Sequence, residues 1–102
     1  MANKWADYLI SAVKYNADHD HIIKVKTHED KGDKVGSSYE ENRETVVANI
    51  KKGKTYMTIL KNKEGKWDRG APVEIIRING KEFIRTDKNQ TESDNLGELP
   101  EF

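Results

Sequence analysis

Ser38-Tyr39-Glu40-Glu41-Asn42-Arg43-Glu44-Thr45-Val46-Val47-Ala48-Asn49-Ile50-Lys51-Lys52-Gly53 is the stretch on which the fold turns. It predicts a helix that begins after Ser38. Ser38 and Glu41 stand in the N-cap and N3 relation of a capping box. Glu40, Glu41 and Glu44 suit the positive start of a helix, and Lys51 and Lys52 suit its negative end. Gly53 suits the left-handed residue that closes one. Tyr39, Arg43, Val46, Val47 and Ile50 share a face at helical spacing.

On either side of this helix the chain reads as strand. Downstream, Thr55 to Lys61 is rich in β-formers, Asn62-Lys63-Glu64-Gly65 is a turn, and Lys66-Trp67 extends a short pairing. Pro72 opens a further strand, Val73 to Ile78, with four β-branched residues. Asn79-Gly80 follows, the strongest hairpin signal in the chain, because a type I′ turn needs positive φ at both central positions. Lys81 to Thr86 then returns. Upstream, residues 6–15 fit strand or helix. The turn-like Asn16-Ala17-Asp18-His19-Asp20 after them and the alternation of His21 to His28 favour a hairpin. Residues 29–37 have the polar, Gly-containing composition of a surface loop. The expected fold class is α+β: an antiparallel β-sheet of about five strands with one helix on one face, in the order β-β-α-β-β-β. Residues 1–102 form a single domain, with 87–102 a polar C-terminal tail docking on the sheet through Leu96, Leu99 and Phe102. Tyr8, Ile10, Tyr56, Leu60, Ile76 and Ile78 are expected on the face away from the helix, where the tail or a second copy of the chain would cover them.

Composition limits the function. The chain has 102 residues, 34% hydrophobic and 35% charged, with eighteen Lys and Arg against eighteen Asp and Glu. A chain of this length supports one core, and a small one. There is no cysteine, which removes disulfides, thiolate zinc sites and cysteine nucleophiles. No apolar run is long enough to span a bilayer, and the first residues lack the apolar region of a signal peptide. The expectation is a soluble cytoplasmic protein without membrane contact.

Catalytic and metal signals are weak. His19 and His21, with His28 further on, are the weak metal candidates and the only candidate centre for a small enzyme, but their spacing matches no zinc motif. A polar turn and a strand end explain them more simply. Ser11, Ser37, Ser38 and Ser93 lack the G-x-S-x-G elbow of hydrolases. The segment Asp30 to Gly36 has two glycines and two lysines without P-loop or dinucleotide spacing. No cofactor and no catalytic residue is expected, and an enzyme is the least favoured class.

Charge patterning carries more information. Lys51, Lys52, Lys54, Lys61, Lys63, Lys66 and Arg69 face only Glu64 and Asp68 across residues 51–69, a net charge of +5. Residues 86–102 carry Lys88 against Asp87, Glu92, Asp94, Glu98 and Glu101, a net charge of −4. Basic residues interleaved with Tyr56 and Trp67 make a minimal nucleic-acid footprint. A match between the basic block and the acidic tail explains the same pattern and is preferred.

The string Asp7-Tyr8-Leu9-Ile10-Ser11-Ala12-Val13-Lys14-Tyr15 resembles the opening of a short bacterial protein family known only as a domain of unknown function. Gly53-Lys54-Thr55-Tyr56-Met57-Thr58-Ile59, the Asn79-Gly80-Lys81 hairpin running into Ile84-Arg85-Thr86-Asp87, and Ser93-Asp94-Asn95-Leu96-Gly97-Glu98-Leu99-Pro100 resemble it too. The resemblance implies a small stand-alone cytoplasmic protein of bacteria and of their phages, and it brings no activity or site residues. The leading expectation is therefore a non-enzymatic binding module for a protein or small anionic ligand, self-associating as a homodimer or other homo-oligomer. Lys24, Lys26, Arg77 and Arg85 are its candidate polar contacts, and Tyr8, Tyr56 and Trp67 its candidate apolar ones. A nucleic-acid-associated protein using residues 51–69 is the alternative.

Overall fold

Alternation at Ile22 to Asp30 makes this segment a strand with two unlike faces, and the sheet is built outward from it and its neighbour. A computed structural model describes residues 5–17, 21–32, 35–86, 94, 96 and 99–102. Strands β1 (Tyr8–Tyr15), β2 (Ile22–Asp30) and β3 (Val35–Asn42) precede helix α1 (Arg43–Lys51). Strands β4 (Tyr56–Lys61), β5 (Trp67–Pro72), β6 (Glu74–Ile78) and β7 (Lys81–Arg85) follow it. The main sheet has the order β3-β2-β1-β4-β5. All its pairings are antiparallel except β1 with β4, where Tyr8 lies opposite Tyr56 in parallel register. The α+β class, the five-stranded sheet and the single helix on one face are those the sequence predicts.

Two details differ from the sequence expectation. Ser38 to Asn42 does not start the helix but completes β3, so a third strand precedes α1. The capping box is pre-empted because these residues pair with β2, from Ser38 opposite His28 to Asn42 opposite Lys24. Asn42 becomes the N-cap, in extended conformation and without a side-chain cap bond. The helix ends as expected: Gly53, at φ 95°, donates to the Ile50 carbonyl at 3.0 Å. The second difference is at Pro72, which ends β5 rather than opening the next strand. Strands β6 and β7 then form a separate hairpin, turned by Asn79 and Gly80 at φ 51° and 79°.

One face of the sheet is packed. Ile10, Val13, Ile22, Val25 and Tyr56 meet Val46 of α1, Val73, Ile84 of β7, and Leu96 and Leu99 of the tail. Ile10 and Tyr56 thus lie under the helix, not away from it. Leu60 is exposed, and Ile78 is buried in the hairpin. The opposite face holds a smaller cluster, Ala6, Leu9 and Ile59, flanked by Val35, Met57 and Trp67.

The tail is held by polar contacts. The Asp94 side chain is fully buried. Its Oδ2 accepts from the Ile22 amide at 2.8 Å and Arg43 Nε at 2.7 Å. Its Oδ1 accepts from the Ile84 amide at 2.9 Å and Arg43 Nη2 at 3.0 Å. Arg43 also donates to the Glu82 carbonyl. The carboxylate in turn raises the Arg43 pKa. Further along, Val13 donates to the Pro100 carbonyl at 2.9 Å, and Phe102 donates to the Val13 carbonyl at 3.1 Å.

Removing the Asp94 carboxylate strands two amides and a half-buried guanidinium. Asp94→Ala is expected to lower the unfolding free energy by about 3–5 kcal/mol in urea titrations. Glu64→Ala, on an exposed turn, should change it by less than about 0.5 kcal/mol. Gly70 sets a second constraint, because a Cβ there would lie 2.7 Å from the Thr58 carbonyl oxygen. Gly70→Ala should cost about 1–3 kcal/mol in the same titration.

Candidate functional site

Antiparallel register puts Leu9, His28 and Ser38 on the sheet face away from α1, with Lys26 one step along β2. Strand β1 carries a bulge here: Ile10 pairs with Thr27 and Ala12 with Lys26, leaving Ser11 as the extra residue. The bulge brings the Ser11 hydroxyl to His28, with Oγ 2.7 Å from Nε2. His28 Nδ1 lies 2.8 Å from the Gly36 carbonyl of β3. A carbonyl can only accept, so Nδ1 carries the proton. In the neutral ring Nε2 then has a free lone pair, and Ser11 donates to it. Both residues are buried, at 8% and 6% exposure.

A groove of about 460 Å³ opens over this pair. Its origin is topological. The β1–β4 pairing runs only from Tyr8 to Ile10, and β4 has its own register shift between Met57 and Ile59. Beyond that point the tail takes the place beside β1, through the parallel bridge of Val13 with Glu101. Ser11, Ala12, Lys26, His28, Ser38, Leu60, Lys61, Trp67 and Pro100 line the opening. Strands β1 to β5 and the tail all contribute. The lining has two ammonium groups and, among the described residues, no carboxylate. Trp67 is tilted against His28 with centroids 5.5 Å apart, and the Lys61 ammonium lies over the Trp67 ring at 5.4 Å. The Lys26 ammonium lies over the Phe102 ring at 5.1 Å.

The sequence-nominated residues scatter around this groove. Lys26 and Trp67 line it. Lys24, on β2, pairs at 3.8 Å with Glu40. Arg77 is exposed and pairs with Glu82 at 3.0 Å. Arg85 is 2% exposed within β7, so it presents no surface to an incoming ligand. Tyr56 is buried under the helix, its ring 5.1 Å from that of Tyr8. The Tyr56 hydroxyl donates to Glu41 and accepts from Asn49, both at 2.9 Å.

The basic block divides in two. Lys51, Lys52 and Lys54 lie at and after the end of α1, where Lys51 pairs with Glu82 at 2.7 Å. Lys61, Lys63, Lys66 and Arg69 lie on the β4–β5 hairpin. Of the histidines, His19 lies outside the described residues. His21 stacks on Phe83 at 5.6 Å near the Asp94 carboxylate. His21 and His28 are seven residues apart along β2, about 23 Å at strand rise, so they do not converge. Among the described residues no group of three or more His, Asp or Glu could hold a metal ion. Ser11, Lys61 and Ser38 enter the site through register and bulge, and the sequence alone did not assign them to it.

A second opening, about 390 Å³, lies by Asp7, Tyr8, Glu29, Tyr39 and Lys54. Asp7 there accepts from both the amide and the hydroxyl of Thr55, tying the starts of β1 and β4 together.

Fold and groove together define a small α+β protein whose open sheet face carries a cationic, partly aromatic groove. Over residues 9–100 the chain matches, and belongs to, the family described as Protein of unknown function (DUF3892). No curated protein and no solved structure matches it. No helix among the described residues is long and apolar enough to cross a membrane.

Burial, and then the nearby Glu41 carboxylate, push the Tyr39 phenol up from 10.0 to about 12. Tyr56 and Tyr15 are raised for the same first reason, burial. The folded chain therefore keeps protons that the unfolded chain releases near pH 10. Their stabilising contribution is present below pH 10 and is lost as pH rises from about 10 through about 12. Urea midpoints should fall across that window, with phenolate absorbance rising on unfolding. A midpoint that stays flat there would contradict the assignment.

Proposed function

We propose that this protein is a binding module for a small anionic ligand that also carries an aromatic or apolar group. The observation that carries the reading is the groove itself. Lys26 and Lys61 supply positive charge, Ser11 and Ser38 supply hydroxyls, and Trp67 supplies a flat apolar wall, with no carboxylate in the lining to repel an anion. Few convergent polar groups on a partly apolar wall is the usual make-up of a small-molecule site. The division of the basic block makes a continuous nucleic-acid track the weaker reading. The absence of cysteine fits a reducing, cytoplasmic setting in a bacterium or phage-infected cell.

Self-association is favoured by a separate observation. Strands β3 and β5 end the main sheet, and exposed Tyr39 lies on the β3 edge. A second copy pairing along that edge would cover it. Light scattering on an eluting peak should give twice the chain mass; a monomer mass at micromolar concentration would exclude this.

Phenyl phosphate is a suitable probe for the groove, because it combines a dianion with an aromatic ring. In amide-resolved NMR titrations it should shift Ser11, Lys26, His28 and Lys61 and the Trp67 indole together. The double variant Lys26→Glu/Lys61→Glu should weaken the binding by about tenfold or more, equivalent to about 1.4 kcal/mol. No shift in these signals at about 10 mM probe, well above the millimolar affinities of weak sites, would overturn the reading.

A further inference from the structure

We infer that Ser11 is a nucleophile activated by His28, and that the groove accepts an activated ester of an anionic acid. The inference rests on the groove being a ligand site and adds chemistry to it. Three features set the Ser11–His28 contact apart from an ordinary buried hydrogen bond.

The first is direction. The Gly36 carbonyl fixes the proton on Nδ1, so Nε2 is the basic atom and it faces the Ser11 Oγ at 2.7 Å. This is the nucleophile–base–orienting-group arrangement of acyl-transfer sites, with a backbone carbonyl as the third member. The second is placement. Ser11 is the extra residue of a β-bulge, a device that re-aims a side chain, and it lines an opening wide enough for a small molecule. The third is the surrounding charge. Lys26 and Lys61 in the same lining favour both an anionic substituent and the negative oxygen that develops on the attacked carbonyl.

The orienting group also narrows the substrate class. A carbonyl stabilises the imidazolium less than a carboxylate does, so the pair suits a good leaving group rather than an amide. The steps balance with water as co-reactant. Ser11 Oγ attacks the ester carbonyl carbon as its proton passes to His28 Nε2. The bond from that carbon to the leaving oxygen breaks, the electron pair goes with the oxygen, and His28 returns the proton to it. Water then gives a proton to Nε2 and attacks the acyl-Ser11, releasing the acid and restoring the hydroxyl. Gly36 is a positioning residue: a Cβ there would meet the Glu29 carbonyl oxygen at 3.1 Å and move the strand that holds His28.

The experiment is to incubate the full chain with an alkyl fluorophosphonate and to map the adduct by mass spectrometry. A single adduct on Ser11 is expected. Phenyl phosphate should slow its formation, and His28→Gln should slow it by about tenfold or more, in line with general-base contributions. Ser11→Ala should abolish it. No adduct on the wild-type chain, an adduct spread over lysine or tyrosine, or a rate unchanged in folded His28→Gln would each overturn the inference. The wild-type result decides the matter even if His28→Gln does not fold. Groove amides that shift with phenyl phosphate in a chain that forms no Ser11 adduct would leave the binding reading standing and remove the nucleophile alone.

Discussion

Both oxygens of Asp94 are occupied by groups that would be costly to bury alone: the Ile22 and Ile84 amides and the Arg43 guanidinium. These groups belong to the start of β2, to β7 and to the start of α1, and they lie 72, 10 and 51 residues from Asp94. The β6–β7 hairpin shares no ladder with the main sheet, so backbone pairing does not fix its position. Apolar contact brings it to the sheet through Ile84 and Val73, but apolar contact has no direction. The carboxylate supplies the direction. A buried charge of this kind adds little stability compared with an apolar replacement, yet it strongly penalises any arrangement that leaves it unpaired. Hairpin, helix and sheet are thereby held to one mutual placement.

That constraint divides the labour between the two sheet faces. On the packed face, Leu96 and Leu99 complete a core that one short helix, with Val46 its only buried residue, could not close. A chain that is 34% hydrophobic cannot fill a second core of the same size. The other face accordingly stops at Ala6, Leu9 and Ile59 and gives way to Ser11, His28, Lys26 and Lys61. The groove lies where the apolar supply ends.

Much of this frame was legible in the sequence. Asn79-Gly80 specified its hairpin because few residues tolerate positive φ, and Gly53 marked the helix end for the same reason. The start of the helix was misread because Ser38 and Glu41 satisfy a local capping rule. Edge-strand pairing with β2 then outweighs that rule through backbone bonds that no local pattern reveals. Tyr39 and Glu41 fit a helix face and also alternate on a strand, where Glu41 accepts from Tyr56. The groove was less legible. Lys26 and Trp67 were nominated from residue type alone. Ser11 and His28 are 17 residues apart, and one extra residue in β1 decides whether they meet. Arg85 was nominated as a surface cation, but as part of β7 it is buried.

The bulge at Ser11 and the position of the tail have a common origin. Where β1 bulges, its ladder with β4 ends, and the vacant place beside Val13 is taken by Pro100 to Phe102. The same tail segment supplies Pro100 to the groove wall and the Phe102 ring to Lys26. Its other end is held by Asp94. An apolar pair at positions 11 and 28 would extend the Leu9–Ile59 cluster and close the wet half of this face. The hydrogen-bonded pair keeps it open and fixes the histidine tautomer. The carboxylate that orders the packed face therefore also sets one wall of the groove on the open face, although no atom of Asp94 lines it.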